Sequence, residues 1–362
     1  HDDATDQSYL HLFLAEQPDL NWANPEVEAA MHATLRYWLD RGVDGFRADV
    51  VNLIGKGTDV PDLPDPFWKF PLLATDRPFG HELLRRIRTL LDSYDHEPMM
   101  VGEVYLLRDG ESASYVGDPD GPELHLSFDF RPLHSPWQIE QMQAALSKME
   151  ADFAEPRWPT FVLSNHDRPR HRTCYGSEAR ARAAAVLELT ARGTPFLYAG
   201  EELGLEDGIV PDDRVVDPDG RDGCRAPIPW TTDGNDEVGH GWPVRPWLPF
   251  PANAATHSAD AEVGVAGSMH TLYRELLALR RQHEVLRRGA MEIADADGDL
   301  LRFDRRLGDE VITVLVNCGE QQVPWPSDLG GAMVLLSTGS DDRSDRTALA
   351  ANESVVLQIR SK

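Results

Sequence analysis

Three carboxylates stand at the ends of short apolar runs in this sequence. They are Asp49, Glu103 and Asp167. Such runs, bounded by turn residues, are typical of buried parallel strands, whose carboxyl ends share one face of a sheet or barrel. We therefore expect the three side chains to meet in one cleft. Carboxylates held close together repel each other, so this grouping indicates acid–base and nucleophilic chemistry, of the kind that cleaves a glycosidic bond.

An arginine interrupts the first of these apolar runs. Alternate side chains of a strand face the same way, so Arg47 and Asp49 should point to one side. An arginine within an apolar strand would bury its charge and would need a paired anion. The pair predicts a nucleophilic carboxylate held ionised by a guanidinium. A strand-end aspartate that caps the next helix fits the same residues about equally well.

The other two carboxylates also have structural interpretations. Glu103 could belong to an ordinary ion pair at a strand end, and residues 165–167 (NHD) could form an Asx turn. Each signal is moderate by itself. The order Arg-x-Asp, Glu and His-Asp at successive strand ends is what makes the set specific.

Strands and helices alternate five times between residues 24 and 200, which is typical of an α/β fold with a parallel sheet. The predicted strands are 43–49, 99–103, 124–129, 160–164 and 194–200, and the predicted helices include 136–150, 177–192 and 268–284. From about residue 286 the pattern changes to alternating strands, which predicts a small antiparallel β domain.

Five strand–helix units are too few to close an eight-stranded barrel. An open half would expose two long sheet edges. We therefore expect partner strands upstream of His1 or on another chain.

The composition excludes several classes of partner. With 35 Lys and Arg against 61 Asp and Glu, the net charge is −26, which argues against binding to nucleic acid or to an anionic membrane. Three widely spaced cysteines imply no disulfide framework and favour a reducing, cytoplasmic location. No apolar stretch is long enough to span a bilayer.

Nothing in the sequence predicts a metal or a cofactor. Residues 295–299 (DADGD) imitate the start of a calcium loop, but Arg306 stands where a bidentate glutamate is needed. A hairpin turn through Asp297 and Gly298 is the better interpretation. No cysteine or histidine spacing indicates zinc.

Three sequence blocks resemble conserved regions of a known family. Residues 44–49 (DGFRAD), 101–103 (VGE) and 165–167 (NHD) are similar to three of the four conserved regions of the α-amylase superfamily of retaining glycoside hydrolases. The resemblance runs from about Tyr9 to the end of the chain.

Two further segments resemble one branch of that superfamily. Residues 17–21 (QPDLN) are similar to the signature of the oligo-1,6-glucosidase and α-glucosidase branch, and residues 220–227 (GRDGCRAP) are similar to a loop after its last barrel strand. In that loop the resemblance suggests a structural ion-pair role for Arg221, and Arg170 could act likewise.

The resemblance implies a role for each carboxylate. Asp49 would be the nucleophile that forms a glucosyl ester, and Glu103 would be the general acid and then the base. Asp167 would bind hydroxyls of the distorted sugar and stabilise the transition state. Glu103 must then stay protonated near neutral pH, so we expect its pKa to be raised beside Asp49.

The resemblance also implies substrate-binding residues. Arg47 and His166 would hold the nucleophile and the sugar hydroxyls, and Arg225 would reach the non-reducing glucose. Val50, directly after the nucleophile, accompanies cleavage of α-1,6 bonds in relatives. Tyr105 could line the leaving-group subsite or belong to the core.

The implied fold is a partial (β/α)8 TIM barrel, with strands four to eight present, and a C-terminal antiparallel β domain. The expected boundaries are 1–23 for the tail of an inserted subdomain, 24–285 for the barrel and 286–362 for a β-sandwich. The family's first conserved region is absent, so the chain would require missing N-terminal barrel strands to be active. Any structural calcium of the family would lie in that part.

The implied function is that of an exo-acting retaining α-glucosidase, with short α-glucosides or sucrose as substrates. A transglucosylase or sucrose isomerase would use the same residues and is the first alternative. A non-catalytic amylase-like subunit is the second, although such proteins usually lose their catalytic carboxylates.

Overall fold

The computed structural model describes residues 1–56, 78–106, 108–339 and 346–359. The chain forms two compact units. The first comprises His1–Asp129 and Asp152–Pro159, and the second comprises Phe130–Ala151 and Thr160–Lys362. Within the described residues, no helix is both long enough and apolar enough to cross a membrane.

The first unit opens its regular structure with helix α1, Pro25–Leu39. Proline at the first helical position and the Asn24 side chain, which accepts a hydrogen bond from the Glu26 N–H at 3.0 Å, fix where this helix begins. Strand β1, Gly45–Ala48, follows. A Cβ atom on Gly45 would lie only 2.1 Å from the Met99 carbonyl oxygen, so the close approach of the next strand requires glycine there.

A three-stranded parallel sheet forms the centre of the first unit. Strand β2, Met99–Gly102, lies between β1 and the two-residue strand β5, Leu126–Ser127. Its register places Gly45 opposite Met99 and Ala48 opposite Gly102. The other elements among the described residues of this unit are helices α2 (Pro78–Leu91) and α3 (Glu111–Ser114), a 3₁₀ turn (Val51–Leu53) and strands β3 (Gly117–Asp118) and β4 (Gly121–Pro122).

A second parallel pair, β6 (Thr160–Val162) and β7 (Thr194–Phe196), belongs to the second unit. Helix α7, Glu178–Thr190, connects these strands, and most of its residues are buried. The remaining helices are α4 (Arg131–His134), α5 (Ile139–Asp152), α6 (His171–Tyr175), α8 (Ala259–Glu262), α9 (Met269–Gln282) and α10 (Glu284–Arg288). In the described part of this unit, 3₁₀ turns cover Asp212–Arg214, Asp222–Arg225 and Ser327–Leu329.

The C-terminal part of the second unit is a five-stranded antiparallel sheet, which confirms the predicted change of pattern. Its spatial order is β12-β14-β10-β9-β8. The strands are β8 (Ala290–Ile293), β9 (Leu300–Leu307), β10 (Glu310–Asn317), β12 (Met333–Ser337) and β14 (Ser354–Ile359), and β11 (Val323–Pro324) pairs separately with β13 (Ala348–Leu349). The predicted hairpin turn is confirmed by the hydrogen bond from the Leu300 N–H to the Asp297 carbonyl oxygen, 3.1 Å.

One arginine of this sheet reaches the helices of the same unit. Arg305 on β9 is fully buried and donates hydrogen bonds to the carbonyl oxygens of Thr190, Leu286 and Gly289 at 2.5, 3.0 and 2.8 Å. Thr190 is the last residue of α7, and the last carbonyl groups of a helix lack partners within it. The guanidinium therefore donates hydrogen bonds to carbonyl oxygens near helix ends that would otherwise have no donor.

The structure shortens several predicted elements. The strand predicted at 124–129 has only two residues in the ladder, although the His125 and Phe128 N–H groups still bond to β2 carbonyl oxygens at 3.1 and 2.9 Å. The helix predicted at 136–150 spans Ile139–Asp152. Strand β8 was not predicted, because its four residues include Glu292 and make no long apolar run.

Candidate active site

The main chain places Asp49 and Glu103 at the same edge of the first parallel sheet. Each residue directly follows the last residue of its strand, Asp49 after β1 and Glu103 after β2. The Glu103 N–H donates to the Ala48 carbonyl oxygen at 2.8 Å, and the Val51 N–H donates to the Glu103 carbonyl oxygen at 2.9 Å. These bonds continue the ladder past both strands, so the two carboxylates are held side by side.

Arg47 bridges the two carboxylates. Its Nη1 lies 2.5 Å from Asp49 Oδ1, and its Nη2 lies 2.6 Å from Glu103 Oε2. Burial is the largest single influence and lowers the pKa of Arg47, but the hydrogen bonds and charges of the two carboxylates outweigh it and the net pKa is raised. One guanidinium therefore stays charged and orients both groups.

The expectation that Arg47 would bury its charge is wrong. Its side chain is 36% exposed, because β1 is an edge strand of the described sheet and the guanidinium extends beyond the strand end. The predicted alternation is confirmed, since Arg47 and Asp49 do face the same side. Burial differs strongly between the carboxylates, with the Asp49 side chain 71% exposed and that of Glu103 only 7%.

Val50 has a strained backbone directly after Asp49. Its φ and ψ are +34° and +50°, in the left-handed region that a β-branched residue rarely adopts. The chain turns there into the 3₁₀ turn Val51–Leu53. Strained residues of this kind cluster at functional sites. Nothing in the local sequence indicates the strain, because a valine after a strand reads as a continuation of it. Tyr105, two residues past Glu103, is half-buried.

The third carboxylate lies in the second unit, in the loop after β6. Asn165 Oδ1 accepts a hydrogen bond from the Asp167 N–H at 2.9 Å, so the Asx turn is present. His166 Nε2 lies 3.2 Å from Asp167 Oδ2. The turn does not exclude a functional role, since it is what orients the Asp167 side chain.

Two arginines from a later loop contact this carboxylate. Arg221 Nη1 and Arg225 Nη2 lie 2.8 and 3.2 Å from Asp167 Oδ1. Arg225 Nε also donates to the His166 carbonyl oxygen at 2.8 Å. Asp167 therefore faces two cationic donors with fixed directions, an arrangement that can present a carboxylate and guanidinium groups to the hydroxyls of a polar ligand.

Asp217 orients Arg221, although the sequence of residues 217–220 (DPDG) predicts only a turn there. It accepts hydrogen bonds from the backbone N–H, Nε and Nη2 of Arg221 at 2.9, 2.9 and 2.5 Å. The Arg221 hydrogen bonds hold the pKa of Asp217 well below its usual range and raise the pKa of Arg221. The turn itself is confirmed by the Gly220 N–H bond to the Asp217 carbonyl oxygen, 3.1 Å. The spacing of four residues between this carboxylate and an arginine of a suspected site was the sequence signal that could have indicated the pair.

Arg170 has a structural position. It is almost completely buried and donates to the carbonyl oxygens of Cys224 and Ala199 at 2.6 and 3.1 Å. Its Nη1 lies 3.9 Å from Asp207 Oδ1, and its backbone N–H donates to the same oxygen at 3.0 Å. The side chain thus joins the 3₁₀ turn Asp222–Arg225 to the chain after β7.

The structure therefore shows two clusters, each within one unit. Asp49, Glu103 and Arg47 form the first, and Asp167 with its arginines forms the second. The meeting of all three carboxylates in one cleft stays a prediction. Among the described residues, no group of three or more His, Cys, Asp or Glu side chains could hold a metal ion.

The chain belongs to the α-amylase catalytic-domain family of glycoside hydrolases. The family model, described as "Alpha amylase, catalytic domain", matches residues 1–289. The fold is accordingly that of the α-amylase catalytic domain, a TIM barrel, with a C-terminal antiparallel sheet.

Among similar curated proteins are glucosidases that cleave α-1,6 bonds. An oligo-1,6-glucosidase of Parageobacillus thermoglucosidasius is 30% identical over 373 residues, which cover 89% of this chain and 65% of that protein. A glucan 1,6-alpha-glucosidase of Streptococcus dysgalactiae subsp. equisimilis is 28% identical, covering 94% and 69% respectively. The chain thus spans about two thirds of the length of these relatives.

Similar solved structures include an isomaltulose synthase and a trehalulose synthase. An isomaltulose synthase of Klebsiella sp. LX3 is 27% identical with a TM-score of 0.88, covering 99% of this chain and 73% of the other. The trehalulose synthase of Pseudomonas mesoacidophila MX-45 is 25% identical with a TM-score of 0.85, covering 97% and 72%.

Proposed function

We propose that this protein is an exo-acting retaining α-glucosidase that hydrolyses α-glucosidic bonds of short oligosaccharides or sucrose by double displacement. The observation that carries the proposal is the Arg47 bridge, with one guanidinium bonded to both Asp49 and Glu103 at the ends of neighbouring parallel strands. Membership of the α-amylase family and the names of the glucosidase relatives support the substrate class.

Each carboxylate has a step in this reaction. Asp49, kept ionised by Arg47, attacks the anomeric carbon while Glu103 protonates the departing oxygen, and a covalent glucosyl ester forms. Glu103, now ionised, then takes a proton from water, whose oxygen attacks the anomeric carbon and releases Asp49. A guanidinium that contacts both carboxylates suits the separation of about 5–5.5 Å that retention needs, rather than the ~6.5–9.5 Å of inverting enzymes.

The two carboxylates differ in exposure, since the Glu103 side chain is buried and that of Asp49 is exposed, while both bond to Arg47. In the same proposal, Asp167 binds sugar hydroxyls together with His166, Arg225 reaches the non-reducing glucose, and Tyr105 and Val50 line the leaving-group side.

We also propose that the five short parallel strands β1, β2, β5, β6 and β7 correspond to strands four to eight of the family barrel. N-terminal barrel strands would complete the site, as the relatives' greater length suggests. The reaction requires no cofactor. The substrate is a small uncharged α-glucoside, and the strongly acidic chain is a poor partner for polyanions.

Transfer rather than hydrolysis is the second candidate. Structural similarity to isomaltulose and trehalulose synthases favours it. The same residues would form the same glucosyl ester, but a sugar hydroxyl instead of water would resolve it. Product analysis after incubation with concentrated sucrose separates the two: glucose and fructose indicate hydrolysis, and isomerised disaccharides indicate transfer.

The test uses the full-length protein and p-nitrophenyl α-glucoside. Asp49→Asn removes the nucleophile's charge, and Glu103→Gln removes the titrating proton. Each should lower kcat by on the order of 10³-fold or more. Glu275→Gln, on an exposed residue of α9, is the control and should leave kcat unchanged.

NMR of the first sugar released should show the α-anomer. Turnover of Asp49→Asn within a few fold of the unmodified enzyme, or release of the β-anomer, would contradict the mechanism. Absence of turnover in the unmodified full-length protein would favour a non-catalytic subunit.

A further inference from the structure

The second unit contains a group of buried titratable side chains, one of which contacts the loop that carries Asp167. Glu188 on α7, Glu201 after β7 and His171 at the start of α6 are 1%, 1% and 2% exposed. The proposed reaction uses none of them. Several of their buried polar atoms have no hydrogen-bond partner, namely both carboxyl oxygens of Glu188, Glu201 Oε1 and His171 Nε2.

His171 connects this cluster to the Asp167 loop. Its backbone N–H donates to Ser164 Oγ at 3.0 Å, and its ring Nδ1 lies 3.1 Å from the same oxygen. Ser164 is three residues before Asp167, so the Ser164–His171 contacts close the base of the loop. Glu201 Oε1 lies 3.4 Å from His171 Nδ1, directly behind that closure.

The two buried carboxyls of the cluster are not expected to be ionised at the same time. An ionised carboxylate without hydrogen bonds is costly in a protein interior, and two neighbouring ones repel each other. Glu201 lies against the ring of His171 and accepts a backbone hydrogen bond from the Tyr198 N–H at 3.2 Å. Glu188 has neither, and burial together with the charge of Glu201 raises the pKa of Glu188 well above its usual range.

Two buried tyrosines of the same unit are affected by the charges of both carboxyls. Burial, followed by the charges of Glu188 and Glu201, raises the pKa of Tyr175 and of Tyr273. The remaining groups that act on these tyrosines are Cys174, Cys318 and Glu202. A proton on Glu188 is therefore the simplest way to keep this interior free of an unpaired negative charge.

We propose that Glu188, Glu201 and His171 form a buried proton-holding unit that positions the loop 164–171, with Glu188 retaining its carboxylic proton at neutral pH. Glu201 is a positioning residue, because it lies against His171, whose contacts with Ser164 close the base of the loop; Glu188 acts on it through the charge of Glu201. Loss of the Glu188 proton at alkaline pH places two negative charges together behind the loop and loosens it. Only the consequence for turnover rests on the proposed function.

The first measurement is denaturant unfolding of the full-length protein between pH 5 and pH 8. The folded state keeps a proton that the unfolded chain releases near pH 4.5, so Glu188 raises the unfolding equilibrium constant about tenfold per pH unit until its folded pKa is reached. Glu188→Gln abolishes this term. Its unfolding constant relative to the unmodified protein should fall as the pH rises, whereas Glu275→Gln, on an exposed residue of α9, should show a constant ratio.

The second measurement is infrared spectroscopy at pH 7. The difference spectrum between the unmodified protein and Glu188→Gln should contain a carbonyl-stretch band of one protonated carboxyl, and the corresponding difference spectrum for Glu275→Gln should contain none. Glu188→Leu, which fills similar space without titrating, should repeat both results if the glutamine variant folds poorly. Absence of the band, or a pH-independent stability difference in both variants, would overturn the proposal.

The positioning role has its own readout. The alkaline limb of the kcat/KM profile should move to higher pH in Glu188→Gln, while the acid limb stays in place. An unchanged profile would refute the link to Asp167. A protein without turnover would refute the proposed function instead, and the unfolding and infrared results would still decide whether Glu188 is protonated.

Discussion

Replacing Asp217 by asparagine removes the charge that holds Arg221 against Asp167. The Asp217 side chain is 8% exposed and accepts three hydrogen bonds from Arg221, one of them from the backbone. Asparagine keeps the shape and one acceptor oxygen, but it presents an amide donor to a guanidinium that only donates. The variant therefore removes the charge and the paired hydrogen bonds of Asp217 while the volume of the side chain stays nearly the same.

The magnitude follows from the burial of the two partners. Hydrogen bonds to charged groups contribute about 1.5–3 kcal/mol, and breaking a buried ion pair costs about 3–5 kcal/mol. Arg221 is 32% exposed, so water can replace part of the interaction that its guanidinium loses. We expect Asp217→Asn to lower the free energy of unfolding by about 2–3 kcal/mol, measured by urea denaturation at pH 7.

Asp219 provides a matched control on the same arginine. Its Oδ2 lies 3.6 Å from Arg221 Nη2, but its side chain is 72% exposed. Exposed ion pairs contribute about 0–1 kcal/mol, so Asp219→Asn should cost about 0.5 kcal/mol or less. Equal costs for the two variants would refute the assignment of Asp217 as the residue that orients Arg221.

The pH dependence gives a second check on Asp217. Its folded-state pKa is depressed below the unfolded value of 3.8, so its contribution is complete above pH 3.8 and is lost as the pH falls toward the folded pKa. The difference in stability between the unmodified protein and Asp217→Asn should therefore be constant from pH 5 to 7 and shrink below pH 3.8. A difference that stays the same at pH 3 would contradict the ion pair as its source.

Two further predictions concern backbone strain and buried donors. Val50→Asn should raise the free energy of unfolding by about 1 kcal/mol, because asparagine tolerates the left-handed backbone that costs a β-branched residue about 1–2 kcal/mol; a thermal melt that shows destabilisation would refute the strain. Arg305→Met should cost about 3–5 kcal/mol in denaturant unfolding, because three carbonyl oxygens lose a buried cationic donor. The exposed Arg288→Met is its control, and similar costs for the two would contradict the role of Arg305.

The sequence predicted well the features that depend on local pattern. Apolar runs and their ends located Asp49 and Glu103, because a residue directly after a parallel strand has a fixed place at the sheet edge. Alternation of side chains correctly placed Arg47 on the same side as Asp49. The C-terminal antiparallel sheet followed from its period of two, apart from the short strand β8.

Features that depend on distant partners could not be predicted. The exposure of Arg47 depends on which strands flank β1, and the bond between Asp217 and Arg221 depends on how an irregular loop folds. The buried Glu188 lies in an alanine-rich helix whose pattern gives no sign that its polar side chain faces the interior. The strained backbone conformation of Val50 depends on the hydrogen bonds that the chain makes on either side of this residue.

Arg305 determines whether the C-terminal sheet can be removed or exchanged in an engineered protein. Cutting the chain before β8 would remove Arg305, and the buried carbonyl oxygens of Thr190 and Leu286 would lose that hydrogen-bond donor. Attaching a foreign sheet at that point would fail for the same reason unless it carried an arginine at the equivalent place. Engineering of this protein should therefore treat the sheet and the helices ending at Thr190 and Arg288 as one inseparable piece.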